Sequence, residues 1–325
     1  MKNIPIPLPP LPEQHRVVAK IEELFTRLDA GVAALKKAKA LLKQYRQAVL
    51  KAAVEGRLTE EWRKEHAGEI EPASVLLERI QAERKQRLGK NYKPPRPIDT
   101  SNLPELPEGW AWATLNNIGQ VVSGGTPATK DTNNFNGDIP WITPADLSSY
   151  NSKYVSRGKR NISEKGLRTS SAVLLPKGSI LFSSRAPIGY VVIALNPLTT
   201  NQGFKNLIIY KGIFNEYIYY YLKSSKKLAE KNASGTTFLE ISGERFGFLP
   251  ILLAPYLEQK EIVKVVDKIL STADESEQII DADLKRAQSL RQSILKRAFA
   301  GKLVPQNPAD EPASVLLERI RKEKR

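Results

Sequence analysis

Four short segments between residues 123 and 205 bring together cations, amides and small hydroxyl side chains. Lys and Arg side chains and backbone N–H groups hold phosphates, whereas side chains with paired donors and acceptors read the edges of bases. This composition predicts a nucleic-acid interface, with ordinary surface loops as the alternative for each segment. The candidate contacts are Ser123, Gly124, Gly125, Thr126, Lys130, Lys153, Tyr154, Arg157, Lys159, Arg160, Ser184, Arg185, Asn201, Gln202 and Lys205.

The segments differ in the contact that their composition favours. Residues 123–130 are small and let the backbone approach a phosphate, while residues 153–160 carry four cations in eight positions around Tyr154. Arg185 follows a predicted strand, and Gln202 lies between an Asn and a Gly. These two side chains are therefore the candidate base readers.

Residue types that catalysis and metal binding need are scarce. The chain has no Cys and only His15 and His66, which excludes thiolate metal sites, disulfides and a Cys nucleophile. It has no G-x-x-x-x-G-K-[ST] phosphate loop. It also lacks the Asn/Asp-Pro-Pro-Tyr/Phe tetrapeptide with which an adenine methyltransferase holds its target amino group. The sequence predicts a non-catalytic chain that binds no metal or cofactor itself.

The charge is strongly basic and unevenly distributed. The 325 residues include 50 Lys and Arg against 35 Asp and Glu, a formal net charge of +15. Residues 110–250 hold 16 basic and 8 acidic residues, hence +8, more than half of the surplus. Such an excess predicts a polyanionic partner, nucleic acid before a membrane surface. No apolar stretch approaches bilayer length, and the first twelve residues have no apolar core of signal-peptide length, so a cytoplasmic protein is expected.

An internal repeat sets the architecture. The segment RQAVLKAAVEGRL at 46–58 returns as RQSILKRAFAGKL at 291–303, identical at seven of thirteen positions with an offset of 245. The segment EPASVLLERI at 71–80 returns unchanged at 311–320. The chain therefore contains one helical module twice.

Both copies show the spacing of a long helix with one apolar stripe. Apolar residues follow alternating steps of three and four, which predicts a helix over 13–55 that ends at Gly56. The second copy repeats this stripe from Val266 to Ile294. One such stripe is unstable alone in water, so we expect the copies to pair as an antiparallel coiled coil. The predicted stripe of the first copy is Ile21, Leu24, Leu28, Gly31, Leu35, Ala38, Leu42, Tyr45, Val49 and Ala52.

Between the copies lies a segment of different character. Dense turn signals separate short β-prone runs at 173–175, 179–182, 190–195 and 206–210, and a helix capped by Asn215 is predicted over 214–233. The predicted fold class is α+β, with one mixed α/β domain flanked by the repeated helices. The predicted organisation is a tail at 1–12, a first helical region at 13–90, a Pro-rich linker at 91–103, the mixed domain at 104–250 and a second helical region at 251–325.

Several phrases of this sequence resemble one protein family. They are LPEGWAWATLNNIGQVVSGGTPATK, GSILFSSRAPIGYVVIA, ASGTTFLEISGERFGFLPILLAPYLEQ and IPIPLPPLPEQHRVVAKIEELF. The first three resemble a target-recognition domain of the DNA-specificity subunit of type I restriction–modification systems. The last, followed by a long helix, is similar to that family's conserved region.

The resemblance implies a non-catalytic DNA-recognition subunit. Such a subunit carries two recognition domains, each reading half of a split target, on a rod of two antiparallel helices. It implies as partners double-stranded DNA, methyltransferase subunits and a restriction/translocase subunit, with self-association through the helices as a further option. It places S-adenosylmethionine, ATP and Mg²⁺ on the partner subunits and none on this chain.

The order of segments departs from the family pattern. The usual order is reader, rod, reader, rod, whereas this chain runs rod, reader, rod. Its first residues, KNIPIPLPPLPEQ, align with GFLPILLAPYLEQ at 247–259, where the recognition domain ends. We therefore expect the chain to begin at the tail of a recognition domain that it lacks and to read one half-site. A free-standing DNA-binding or decoy protein from a truncated specificity gene is the alternative, and an enzyme comes third.

Overall fold

The structure is a computed structural model that describes residues 6–99, 101, 103–235 and 239–323. Parts of the predicted tail, linker, mixed domain and second helical region lie outside these residues. The chain forms two compact units. The rod unit takes its residues from 1–46 and 270–325, and the mixed unit from 47–269.

The secondary structure is about half helix, with short strands between the long helices. Within the described residues the helices are α1 (Leu11–Val54), α2 (Glu60–Glu65), α3 (Ala73–Leu88), α4 (Leu115–Ile118), α5 (Glu164–Arg168), α6 (Asn215–Ser224), α7 (Lys226–Lys231), α8 (Gly243–Gly247), α9 (Tyr256–Phe299) and α10 (Ala313–Glu323). The strands are β1 (Ala111–Thr114), β2 (Gly119–Ser123), β3 (Phe135–Ile142), β4 (Tyr154–Val155), β5 (Arg160–Ile162), β6 (Ile180–Ser183), β7 (Val191–Ala194), β8 (Thr199–Thr200), β9 (Phe204–Ile209) and β10 (Pro250–Leu253). No helix in the described ranges is long and apolar enough to cross a membrane.

Ion pairs between α1 and α9 run along the rod unit. Arg46 Nη2 lies 2.5 Å from Asp274 Oδ1, and Lys39 Nζ lies 2.6 Å from Asp281 Oδ1. Residue numbers rise along α1 where they fall along α9, so the helices are antiparallel. The predicted antiparallel pair is thus confirmed.

One of these ion pairs occurs twice, because the two helices are copies of one sequence module. At the offset of 245, Arg46 corresponds to Arg291 and Asp274 to Asp29. Arg291 and Asp29 form an ion pair, and the Arg291 guanidinium lies 4.4 Å from the centre of the Phe25 ring. Because equivalent residues make equivalent contacts, the two helices of the rod unit are related by an internal two-fold.

The stripe that α1 buries differs in part from the predicted one. The buried stripe includes Val32, Lys39 and Arg46, each half-buried, which lie between the predicted leucines. The Lys and Arg side chains pack their apolar stems into the stripe and pair their charged ends with carboxylates of α9. Cations can therefore occupy positions within the buried stripe. The predicted positions that are exposed instead are Gly31, Ala38 and Tyr45.

Both long helices end on a left-handed glycine. Gly56 has a φ of +71° and Gly301 a φ of +66°. The amide of the following residue closes each end, with Arg57 N donating to Ala52 O at 3.0 Å and Lys302 N to the equivalent carbonyl at 2.9 Å. A residue with a Cβ is strained at this φ, which confirms the helix end predicted at Gly56.

In the part of the mixed unit that the structure describes, the strands form three small sheets. The largest has the order β2–β9–β6–β7–β4, antiparallel except for the parallel β4–β7 pair. A second sheet has the order β5–β3–β8, and a third joins β1 to β10, with Ala111 opposite Leu253. The last pair brings the start of the mixed domain next to the strand that leads into α9.

The core of the mixed unit centres on β6 and β7. Every residue of Ile180–Ser183 and of Val191–Ala194 is buried. These strands arise from the predicted apolar runs, and a continuous apolar run of this length is typical of a strand covered on both faces. A smaller core surrounds Trp141, Ile162 and Ala172.

The predicted helix over 214–233 forms as two helices. The first turn of α6 is preceded by Phe214 rather than capped by Asn215, and Ser225 separates α6 from α7. The Ser225 hydroxyl donates to Tyr221 O at 2.8 Å. A Ser side chain that bonds the backbone in this way competes with helix propagation, which accounts for the break.

A buried carboxylate ties three segments of the mixed unit together. Glu258 on α9 is fully buried. Thr59 Oγ1 donates to it at 2.7 Å, Arg63 Nη2 at 2.8 Å and Trp110 Nε1 at 2.8 Å. The donors precede α2, lie within it and precede β1, so this carboxylate connects the end of the first helical region to the start of the mixed domain.

Leu76 and Leu316 occupy the same position in the two copies of EPASVLLERI, but only Leu76 is fully buried. We expect Leu76→Ala to destabilise the mixed unit by about 2–5 kcal/mol through lost burial and a cavity. Leu316→Ala should leave that unit's transition unchanged. Urea unfolding followed by Trp fluorescence measures this directly, since all four Trp residues lie in the mixed unit. Equal shifts for the two variants would contradict the assigned packing.

Candidate nucleic-acid interface

Three of the four predicted segments meet on one surface of the mixed unit, which we call the reading face (123–130, 184–185 and 201–205). Ser184 N donates to Gly203 O at 2.7 Å, and Gly125 N donates to Thr200 O at 2.9 Å. The Thr126 hydroxyl donates to Gln202 Oε1. Sheet pairing of β6 with β9 and of β2 with β9 places these segments side by side.

The glycine pair of the first segment packs against protein rather than presenting its backbone outward. Both glycines are buried, and a Cβ at Gly124 would overlap the carbonyl oxygen of Asn201. A Cβ at Gly125 would overlap the backbone of Ala172. The Gly124 amide donates to Phe204 O at 3.2 Å, so it is already used within the protein. The small residues therefore serve close packing of the loop.

Glu240 is a part of the reading face that the sequence reasoning missed. Its Oε2 lies 3.1 Å from Arg185 Nη1, and its Oε1 lies 3.4 Å from Lys205 Nζ. Ile241 N, the next residue, donates to Ser184 O at 3.2 Å. No local pattern marks a Glu that lies 35 and 55 residues from its partners, so the sequence carried no signal for it.

Burial divides the candidate contacts of the reading face. Ser184 and Lys205 are buried together with the two glycines, so their side chains do not reach solvent freely. The accessible donors and acceptors, exposed or half-buried, are Ser123, Thr126, Lys130, Arg185, Asn201 and Gln202. This mixture of one amide pair, hydroxyls and cations is suited to both base and phosphate contacts.

The fourth segment, 153–160, begins with two residues that are held by the protein. Lys153 Nζ lies 2.8 Å from Asp267 Oδ1 and 4.8 Å from the centre of the Tyr220 ring. The Tyr154 hydroxyl donates to Glu216. Burial, together with this hydrogen bond, raises the pKa of Tyr154 above its ordinary value. These two residues have structural partners that the sequence did not predict.

The rest of that segment is open to solvent. The side chains of Arg157, Lys159 and Arg160 are exposed. The Arg160 guanidinium lies 4.8 Å from the centre of the Trp141 ring, which fixes its position without neutralising its charge. These three cations form an exposed basic cluster that we call the 157–160 cluster.

Neither surface resembles a metal site. Among the residues that the structure describes, no group of three His, Cys, Asp or Glu side chains is placed to hold a metal ion. The chemistry that these surfaces offer is recognition by hydrogen bonds and positive charge.

Comparison with known proteins assigns the family. Residues 107–286, more than half of the chain, match the family described as "Type I restriction modification DNA specificity domain". The chain therefore belongs to this family.

Curated relatives are specificity subunits of type I restriction enzymes. The MjaIX specificity subunit of Methanocaldococcus jannaschii is 42% identical over 187 residues, which cover 56% of this chain and 43% of that subunit. The EcoDI specificity subunit of Escherichia coli is 26% identical over 335 residues, covering 99% of this chain and 69% of that subunit. The chain thus spans less than half of the first relative and about two thirds of the second.

Solved structures share the fold. A chain from a study of complex assembly and conformational transition in the type I R–M system matches with a TM-score of 0.64 at 21% identity, covering 91% of this chain and 61% of its own length. The HsdS subunit from Thermoanaerobacter tengcongensis matches with a TM-score of 0.54 at 22% identity, covering 91% and 60%. One mixed domain combined with paired long helices is therefore a fold that these proteins have in common.

The different environments of Lys153 and Lys159 lead to a prediction on DNA binding. We expect Lys159→Ala to make the negative slope of log affinity against log salt less steep by about one, the change that the loss of one phosphate contact produces. Lys153→Ala should leave that slope unchanged because Asp267 already neutralises this ammonium group. Anisotropy titrations of a labelled duplex between about 50 and 200 mM salt measure both slopes. A loss of slope confined to Lys153→Ala would contradict the assignment.

Proposed function

We propose that this chain is a sequence-specific DNA-recognition subunit that reads one half of a bipartite target. The observation that carries the proposal is the reading face, where accessible donors, acceptors and cations from three segments converge within a domain of the DNA-specificity family. Such a face can bond both the edges of bases and the phosphates beside them. The net charge of +15 favours the same polyanionic ligand.

The two surfaces of the mixed unit have different tasks in this proposal. The 157–160 cluster holds phosphates, since its cations are exposed and carry no geometry for a particular base. Arg185 and Gln202 read bases. Glu240 holds one side of the Arg185 guanidinium, and the remaining N–H groups of its planar fork can donate to the edge of a base.

The paired helices of the rod unit scaffold the partner subunits. We propose that methyltransferase subunits dock on them, that a restriction/translocase subunit joins the complex, and that S-adenosylmethionine, ATP and Mg²⁺ are bound by those partners. This chain itself is proposed to be non-catalytic and cytoplasmic. The sequence has no Cys, no phosphate loop and no amino-methyltransferase tetrapeptide, which supports the proposal that catalysis belongs to the partner subunits.

Sequence preference distinguishes base readers from phosphate contacts. We expect Arg185→Lys and Gln202→Ala to change the base preferred at one or two positions, at about 1–3 kcal/mol of discrimination each. Lys130→Ala is the matched control and should weaken all duplexes alike. Selection from a randomised duplex pool, with each variant at one salt concentration, measures the preferences. If both variants select the same sequences as the original chain, the reading face does not read bases and the proposal is contradicted on this point.

Assembly with a methyltransferase subunit tests the biological role. We expect this chain to co-purify with a type I methyltransferase subunit and, as a monomer by light scattering, to protect one half-site from cleavage in a footprint. Failure to co-purify, with DNA binding intact, would favour a free-standing DNA-binding protein. Protection of two separated half-sites by a monomer would contradict the half-site proposal.

A further inference from the structure

A turn of the mixed unit lies between the reading face and the 157–160 cluster. It is the short 3₁₀ helix Pro144–Leu147 after β3, which we call the 144–147 turn. On one side, a Cβ at Gly203 of the reading face would come within 3.0 Å of Pro144 Cγ. On the other side, Lys159 N donates to Asp146 Oδ1 at 3.1 Å. The turn therefore contacts both surfaces.

The carboxylate of Asp146 bonds the turn with one oxygen and the cluster with the other. Oδ2 accepts from Thr143 N at 2.8 Å and from the Thr143 hydroxyl at 2.7 Å, and these bonds hold the start of the turn as a capping box. Oδ1 accepts the Lys159 amide. Gly158 lies against the same carboxylate, because a Cβ there would be 2.8 Å from Oδ2. The backbone at the cluster is thus held, while the Lys159 side chain stays exposed.

A second capping box in this chain shows that such a turn needs only one side-chain oxygen. Thr114 begins this equivalent turn, which opens α4. Asn117 Oδ1 accepts from Thr114 N at 2.6 Å and from the Thr114 hydroxyl at 2.8 Å. One amide oxygen therefore makes both of the bonds that Asp146 Oδ2 makes. The other oxygen of Asp146 serves the bond to Lys159 and not the turn.

Trp141 of β3 makes a second link between the two surfaces. Its side chain is buried, and its indole N–H donates to Gly125 O, in the first segment of the reading face, at 3.0 Å. The face of the same ring carries the Arg160 guanidinium, and the two residues are paired across β3 and β5. Trp141 therefore holds Arg160, at one end of the cluster, as Asp146 holds the backbone of Lys159.

We propose that Asp146 is a positioning residue that fixes the 157–160 cluster relative to the reading face, so that both surfaces bind one duplex in one register. The inference rests on the proposed DNA-reading function. Phosphate contacts set the position of a protein along a duplex, and base contacts read the sequence at that position. Without the bond to Asp146, the cluster keeps its charges and still attracts the phosphates of any duplex. It no longer favours the register in which Arg185 and Gln202 face their bases, so Asp146 contributes to sequence discrimination without contacting DNA.

The variant Asp146→Asn separates the two contacts of this carboxylate. The amide oxygen can replace Oδ2 in the turn, as Asn117 does, whereas the amide nitrogen cannot accept the bond from Lys159 N. We expect the affinity for the duplex that the original chain selects to fall about five- to tenfold, as for one lost hydrogen bond. The affinity for a scrambled duplex should stay within about twofold, since the cations remain. Anisotropy titrations at one salt concentration measure both affinities, and thermal unfolding checks that each variant is folded.

Two matched variants accompany this measurement. Asp138→Asn removes the same charge from an exposed position on β3 and should leave the ratio of the two affinities unchanged. Gly158→Ala places a Cβ against Asp146 and should lower that ratio as Asp146→Asn does. An equal decrease of the ratio in Asp138→Asn would mean that the lost charge, and not the lost bond, is responsible, and would overturn the proposal.

A combined variant distinguishes positioning of the cluster from a general effect on the fold. The three cluster cations are first replaced together by alanine, as Arg157→Ala, Lys159→Ala and Arg160→Ala. In this background Asp146→Asn should leave the ratio of the two affinities unchanged, because the charges that Asp146 positions are absent. A decrease of the same size in both backgrounds would mean that Asp146 acts on the reading face alone, which contradicts the proposal.

The outcomes separate this inference from the function on which it rests. If the original chain prefers its selected duplex and Asp146→Asn prefers it equally, Asp146 has no positioning role, and the DNA-reading function still stands. If the randomised pool yields no preferred sequence for the original chain, the proposed function fails, and this inference fails with it. An equal loss of affinity for both duplexes in Asp146→Asn would show a general loss of binding and would also overturn the positioning role.

Discussion

The carboxylate of Glu258 is the constraint on which the mixed unit depends. A carboxylate without exposure to water is stable only when donors surround it. Thr59, Arg63 and Trp110 provide those donors from segments up to 199 residues away along the chain. These bonds hold the segment that includes α2 and the residue before β1 against the first turn of α9, beside the β1–β10 pair.

Charged residues within the buried stripe of α1 constrain the rod unit. An apolar stripe with a constant three–four spacing would permit several registers of the two helices. Arg46 and Lys39 lie within the stripe, and each pairs with two carboxylates one turn apart on α9: Arg46 with Asp274 and Glu277, and Lys39 with Glu277 and Asp281. The observed register is the one in which both cations make both contacts. The equivalent pair of Arg291 and Asp29 repeats this restriction at the other end of the internal two-fold.

The basic surplus of the recognition domain is only partly available to a ligand. Asp267 neutralises Lys153, and Glu240 neutralises Lys205 within a largely buried pair. Among the candidate contacts, those that remain accessible are the 157–160 cluster and the accessible side chains of the reading face. Local ion pairs, and not the total charge, therefore decide where a polyanion can bind.

The sequence by itself determined the repeat, the two long helices, the glycine that ends the first of them, strands β6, β7 and β9, and the family. The predicted run at 173–175 forms no strand, and Leu175 makes only an isolated bridge to Leu198. The helices and strands among these features depend on residue spacing along the chain, which is local information. It also found the three segments of the reading face, because loops rich in donors are recognisable one at a time.

Only the tertiary structure decided which of these residues are free to act. Gly124 could serve a phosphate or a close backbone contact, and it serves the contact because Asn201 lies against it. Glu240 has no local signal, since its partners are distant in sequence. Leu76 and Leu316 make the limit plain: their sequence neighbours are identical, yet only Leu76 is fully buried. Burial depends on what another part of the chain places against a residue, and no local pattern contains that information.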